Sequence, residues 1–291
     1  MPRGERKVAA GEVTLSCLID GPSFGEPGAE LVVAAHGFPD GPDTFNLLAQ
    51  AVTRSGRRIA RPAMRGYRPS GEARDGRYDV AVLGEDLIAV ADALSPDRPV
   101  LLVGHDWGAA AAYAACAVAP SRVRKVVTMA VPHLREALPM WLRPSQLRRS
   151  WYMGFFQLRG VAEAWLARDD MAAVERLWRD WSPGYQPSVE RMAEVKAGMR
   201  GRLGPVLGYY RALVRPSRAA RVAFAKTRVP ALHLHGEDDG CVGVEMVDGM
   251  ERAFTAGLEV ERVRGAGHFL HLERPSVVND RILAFFDEET P

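Results

Sequence analysis

The 291-residue chain is 47% hydrophobic and 25% charged with a formal net charge of +2, the composition of an ordinary soluble globular protein long enough to bury a full core. Its arginines are dispersed, which argues against a nucleic-acid or membrane partner, and the cluster from Arg143 to Arg149 reads as a solvated helix face. Cys17, Cys116 and Cys241 are odd in number and lack CxxC spacing, and the opening MPRGERKVAAGEV has no apolar signal-peptide core, so a cytoplasmic protein with reduced thiols is expected.

In chain order, VTLSCLID (13–20) and ELVVAAHG (30–37) read as strands, TFNLLAQAVTRSG (44–56) as a helix and RRIARPAM (57–64) as a strand. DVAVLGEDLIAVADAL (79–94) has apolar residues at helical spacing, RPVLLVGH (98–105) reads as a fully buried strand, and WGAAAAYAACAVA (107–119) is a helix of small residues suited to close packing. VRKVVTMAVP (123–132) is the next strand. From 134 to 222 the alternation gives way to helical patterns: LREALPMWL, QLRRSWYMGFFQL, GVAEAWLARDDMAAVERLWRDW and VERMAEVKAGMRGRLGPVLGYYRALV. It resumes with a strand at VPALHLHGE (229–237), a helix at VGVEMVDGMERAF (242–254), a strand at LEVERVRG (258–265) and a last helix at SVVNDRILAFFDEE (276–289). The pattern predicts an α/β fold with a mostly parallel central sheet flanked by helices. An all-helical cap at 134–222 divides the core into 1–133 and 223–291, with the active site in the seam beyond the carboxyl ends of the strands.

Four separated motifs converge on that seam. In LLVGHDWGAA a strand runs into a Gly-x-Asp-x-Gly turn, the pattern of a nucleophile elbow with Asp106 in the place usually held by serine. HGFP (36–39) follows an early strand, where the Phe38 N–H and the Trp107 N–H after the elbow are the expected oxyanion donors. GEDDGCV (236–242) follows a late strand and offers an acid, Asp239 first and Asp238 second, and GAGHFLHLERP (265–275) presents His268. Their chain order is nucleophile, acid, histidine. Taken alone, Asp106 is as consistent with a helix N-cap as with a nucleophile. His233 and His235 share one strand face, but a third ligand of recognisable spacing is missing, so they read as packing residues and no metal or cofactor is expected.

With these motifs the chain resembles the epoxide hydrolases of the α/β-hydrolase superfamily, relatives of the haloalkane and haloacetate dehalogenases. The resemblance covers nearly the whole sequence and rests on HGFP, MRGYRPSG (64–71), GHDWG, SWYMGFFQL, LGYYRAL, GEDD and GAGHF. Arg68 and Ala63 depart from the family pattern, where a glycine and an acid are customary. The resemblance implies that Tyr152 and Tyr210 are the two cap tyrosines that polarise an epoxide oxygen, with Tyr209 the neighbouring alternative. It also places His36, Pro39, Trp151 and Phe156 around the substrate pocket.

The carboxylate at the elbow has a chemical meaning. It is ionised at neutral pH and displaces a leaving group at saturated carbon, forming an alkyl ester that a histidine-activated water then cleaves. A small-molecule epoxide is the expected substrate and partner. Trp107 after the nucleophile also suits halide binding, so a dehalogenase is the rival chemistry, and a ligand-binding protein that kept the fold is the rival of another class.

Overall fold

The computed structural model describes residues 4–23, 29–137, 139 and 142–289. The first part of the chain gives β1 (Gly4–Ala10), β2 (Val13–Asp20), β3 (Leu31–Ala35), α1 (Asn46–Arg54), β4 (Arg58–Pro62), α2 (Val80–Leu94), β5 (Val100–His105), α3 (Trp107–Val118) and β6 (Val123–Met129). A helical stretch follows: α4 (Leu134–Ala137), α5 (Pro144–Arg149), α6 (Trp151–Phe155), α7 (Val161–Trp181), α8 (Val189–Met199) and α9 (Leu203–Val214). The chain then returns through β7 (Ala231–Gly236), β8 (Leu258–Val263), α10 (Leu270–Glu273) and α11 (Pro275–Asp287).

The strands form one eight-stranded sheet in the order β1-β2-β4-β3-β5-β6-β7-β8. β2 is antiparallel to both β1 and β4, and the pairings from β4 through β8 are parallel. β3 and β5 are buried along their full length, which is why they read as unbroken apolar runs rather than alternating ones. Successive side chains point to opposite faces. Val33, Leu102 and Val126 therefore join the core layer under α2, α3 and the helical stretch, while Val32, Leu101 and Val127 join the layer under α1 and α11. β8 closes one edge with charged residues, and Arg281 of α11 pairs with its Glu259 and Glu261, a polar edge that discourages strand addition.

The structure departs from the sequence reading in several places. β1 is an added strand, held by pairing with β2 from Gly4↔Ile19 to Ala10↔Val13; its outer half is exposed and charged, so it carries little apolar signal. The helix expected at 242–254 is instead two 3-10 turns, Val244–Val247 and Met250–Ala253, because Gly249 takes φ +81° between them. Gly201 at φ +72° separates α8 from α9 where one helix was read, and α7 is interrupted by non-helical backbone from Arg168 to Met171. QLRRSWYMGFFQL divides into α5 and α6. The LREALPMWL helix covers Leu134–Ala137, and residues 138, 140 and 141 lie outside the described residues. Among the described residues no helix is long and apolar enough to cross a membrane.

The elbow depends on two backbone contacts that leave no room for a side chain. A Cβ on Gly104 would lie 2.2 Å from the Gly108 carbonyl oxygen, and one on Gly108 would lie 1.9 Å from that of Ala35. Backbone cannot yield cheaply, so Gly108→Ala should cost about 3 kcal/mol or more of unfolding free energy, the upper range for overpacked cores. Gly154→Ala on α6, where a Cβ meets nothing within 4 Å, should be neutral or stabilising by up to about 1 kcal/mol. Urea denaturation of the two variants checks the contrast.

Candidate active site

β5 ends at His105 and the chain turns sharply at Asp106, whose backbone has φ 53° and ψ −117°. That conformation is strained for a residue with a side chain and costs about 1–3 kcal/mol. Its side chain makes no cap hydrogen bond to α3, so the helix-cap alternative does not describe this aspartate. Instead Asp106 Oδ1 accepts the Phe38 N–H at 2.7 Å, and the Trp107 N–H also acts on the carboxylate. Gly37 makes this approach possible, since a Cβ there would sit 2.2 Å from Oδ1.

On the other side of Asp106, His268 Nε2 lies 3.7 Å from Oδ2. This separation is too long for a direct hydrogen bond and short enough for one water to touch both atoms. His268 Nδ1–H donates to Asp239 Oδ2 at 2.9 Å. The acid is itself fixed, because Asp239 Oδ1 accepts the N–H groups of Cys241 at 2.7 Å and Val242 at 2.8 Å. Asp238 points to solvent. The His268 backbone is held from both ends: its N–H donates to the Trp181 carbonyl at 3.1 Å and its carbonyl accepts from His105 Nε2 at 2.9 Å. His268 Nε2 is buried with no hydrogen-bond partner among the described residues, which leaves it aimed at the space beside Oδ2.

A cavity of about 50 Å³ lies above Asp106, lined by Trp107, Val131, Tyr152, Tyr210, Leu213 and Val242. Tyr152 comes from α6 and Tyr210 from α9, with their ring centroids 5.8 Å apart. The Tyr152 hydroxyl touches Cys241 Sγ at 3.2 Å. The Tyr210 hydroxyl is buried beside the Trp107 side chain, which acts on it as a donor without reaching full hydrogen-bond geometry among the described residues. Tyr209 faces away, donating its hydroxyl to the Arg65 carbonyl at 2.7 Å. The one-residue difference between neighbours on a helix, about 100° of rotation, separates them.

The other residues expected around the pocket are not brought to the cavity. His36 is wholly buried: its Nδ1–H donates to the Gly37 carbonyl and its Nε2 accepts the Met64 N–H at 3.0 Å, so it shapes the HGFP turn from behind. Pro39 offers its carbonyl to the Trp178 indole N–H at 2.8 Å. Trp151 is 46% exposed and packs on Phe155 and Trp165 at the outer surface. Phe156 stands behind the tyrosines, its ring against Phe38, Tyr152 and Tyr210. His233 and His235 do more than pack. Thr128 Oγ1, His233, His235 and the Val242 carbonyl form a hydrogen-bonded chain that supports the loop carrying Asp239. The sequence reading also passed over Trp181, whose ring meets Phe38, Tyr152 and His268. Nothing in the 161–182 pattern distinguished it from other apolar helix positions.

Electrostatics follow from burial. The Asp106 carboxyl is pushed up to about 6 by desolvation, with the His268 charge and the Phe38 and Trp107 N–H groups pulling it back. Burial lowers His268, but the charge and hydrogen bond of Asp239 and the charge of Asp106 outweigh it and raise its pKa. Tyr152 and Tyr210 are raised well above the usual phenol range, first by burial and further by the charge of Asp106, so both stay protonated donors. Asp239, Cys241 and His268 have ligand atoms within 4.8 Å of one another. Asp239 commits both oxygens to hydrogen bonds with Cys241, Val242 and His268, which ties the three groups into one hydrogen-bonded cluster.

A family model for the α/β hydrolase fold matches residues 30–275. Epoxide hydrolase 3 of Xenopus tropicalis is 30% identical over 270 residues, covering 89% of this chain and 72% of that protein. Epoxide hydrolase A of Mycobacterium tuberculosis is 28% identical over 303 aligned positions, covering 90% of this chain and 91% of its own. Among solved structures, the crystal structure of epoxide hydrolase A from Mycobacterium thermoresistibile matches with a TM-score of 0.85 at 26% identity, covering 100% of both chains. With an acid-bearing elbow on this sheet and these relatives across its length, the chain belongs to the α/β-hydrolase fold family and, within it, to the epoxide hydrolases.

Proposed function

We propose that the protein converts a small epoxide to a vicinal diol through a covalent ester on Asp106. The observation that carries this reading is the Asp106 carboxylate itself. One oxygen is held by backbone N–H groups, and the other is free beside His268 beneath two buried tyrosine hydroxyls. In the first step Oδ2 attacks a ring carbon and the carbon–oxygen bond of the epoxide breaks. The ring oxygen takes a phenolic proton from one tyrosine while the other tyrosine donates a hydrogen bond to it.

In the second step His268 Nε2 removes a proton from a water that attacks the ester carbonyl carbon. The resulting oxyanion on Oδ1 is stabilised by the Phe38 and Trp107 N–H groups. Collapse releases the diol, whose leaving oxygen takes the proton from His268, and the Asp106 carboxylic acid returns its proton to the tyrosinate. Asp239 orients His268 and stabilises its imidazolium. The HGFP turn, the two tyrosines and the elbow approach one another across the seam between the core and the helices of 134–222, which we take as the cap. A cytoplasmic location fits the three buried free thiols.

His268→Gln should permit alkylation and block hydrolysis, so intact-mass spectrometry after saturation with a simple epoxide such as styrene oxide should show the protein heavier by one substrate. Single turnover in heavy-oxygen water should place label in Asp106 of the wild type. Asp239→Asn should slow ester hydrolysis by roughly a thousandfold or more, whereas Asp238→Asn should be mild. Tyr152→Phe or Tyr210→Phe should slow alkylation by roughly 10- to 1000-fold, with Tyr209→Phe close to wild type in rate. If wild type instead releases halide from a 1-haloalkane faster than it opens any epoxide, the dehalogenase chemistry replaces this one.

The pH dependence follows from the buried carboxyl. Asp106 attacks only when ionised, and its pKa lies at about 6. The alkylation rate should therefore fall by half near pH 6 as pH is lowered, where a solvent-exposed aspartate would hold its rate to about pH 4. Stopped-flow measurement of single-turnover alkylation between about pH 5 and 8 tests this midpoint.

A further inference from the structure

Two tyrosines reach the cavity above Asp106, but their surroundings differ. The Tyr210 hydroxyl lies against the Trp107 side chain, which acts on it as a donor without reaching full hydrogen-bond geometry among the described residues. The Tyr152 hydroxyl has Cys241 Sγ at 3.2 Å, and Cys241 is wholly buried, two residues beyond Asp239, with its own N–H on Asp239 Oδ1. The Cys241 backbone is thus held by the same turn that fixes the acid, which places its short side chain beside Tyr152.

Resting on the epoxide reading above, we infer that Cys241 is a positioning residue for Tyr152: its S–H donates to the Tyr152 phenolic oxygen and supports that phenol as it gives its proton to the opening epoxide. A phenol brings one proton and can accept as well as donate. When an epoxide oxygen arrives, it is a better acceptor than sulfur, so the phenolic proton turns to it and the S–H is left facing the phenolic oxygen. The chain S–H to O–H to ring oxygen is then polarised in one direction, and each link strengthens the next in a low-dielectric site. As the ring opens, negative charge shifts onto the phenolic oxygen of Tyr152, where the S–H stabilises it. Tyr210 has the Trp107 side chain rather than a thiol acting on its hydroxyl and gives the second hydrogen bond to the same oxygen. The thiol is kept from reacting with the epoxide itself, because burial and the nearby Asp239 and Asp106 charges hold it protonated, and the thiolate is the nucleophile.

The test is a double-mutant cycle on the alkylation step. Cys241→Ala and Cys241→Val should slow single-turnover alkylation about fivefold, the scale of one net hydrogen bond, and Cys241→Ser should restore it to within about twofold of wild type by returning a donor. The rate of ester hydrolysis, which reports on Asp239 and His268, should be unchanged in all three. In a Tyr152→Phe background Cys241→Ala should have no further effect on alkylation. The inference is overturned if Cys241→Ala alkylates at the wild-type rate, if serine does not restore the rate, or if the fivefold loss persists without the Tyr152 hydroxyl. A Tyr152→Phe enzyme that alkylates at full rate is a separate failure, that of Tyr152 as proton donor in the epoxide reading.

Discussion

Everything in the site depends on the turn at Asp106, where a strand from the middle of the sheet must become a helix within one residue while presenting a side chain upward. The backbone there is in a region that side chains avoid, and it is sustained by the contacts of Gly104 with Gly108 and of Gly108 with Ala35. Those contacts place α3 directly against the end of β3. The same geometry carries the Asp106 carboxylate into the Phe38 N–H and leaves its second oxygen open. Strain of this kind persists only where the surroundings over-determine it, and here the surroundings are the sheet itself.

Around the turn the protein excludes water with a cluster of rings beside aliphatic groups such as Val131, Leu213 and Val242. Phe38, Phe156, Trp181, Tyr152 and Tyr210 meet largely edge to face, an arrangement that suits the aromatic quadrupole and presents phenol oxygens to the cavity. Burial raises the Asp106 carboxyl, and the site offsets the cost with the charge of the nearby His268 and backbone N–H groups rather than with a lysine or arginine. A carboxylate only partly compensated in this way is a better nucleophile than one locked in an ion pair, because less stabilisation must be given up on attack.

The helices of 134–222 are held to the core at the edge of the site, not far from it. The Trp178 indole donates to the Pro39 carbonyl, and Arg191 pairs with the buried Asp40 just beyond the HGFP turn. Phe269, next to His268, stacks on Trp178 at 3.7 Å. The loop that carries Phe38, the loop that carries His268 and the helix that ends at Trp181 therefore share one packed seam.

The sequence by itself determined the alternating core, the chemical motifs and their order, because each depends on local rules: apolar period for strands and helices, glycine where no Cβ fits, and a loop at the carboxyl end of each strand. The placement of Phe38, Asp106, Trp107 and His268 at strand ends could be read this way, whereas the burial of Asp239 against His268 and the exposure of Asp238 came from the packing. The tertiary structure decided what depends on direction. It turned Tyr210 inward and Tyr209 away by one helix step, sent Trp151 to the surface, placed His36 and Pro39 behind the turn, and brought Trp181 and Cys241 to the tyrosines from segments that no periodicity connects. It also broke helices that were continuous in pattern, at Gly201 and Gly249, because a positive φ is invisible to apolar spacing. The physical reason is the same in each case: composition and period report which face of an element is buried, whereas the partner of a given side chain is set by how separate elements are packed together.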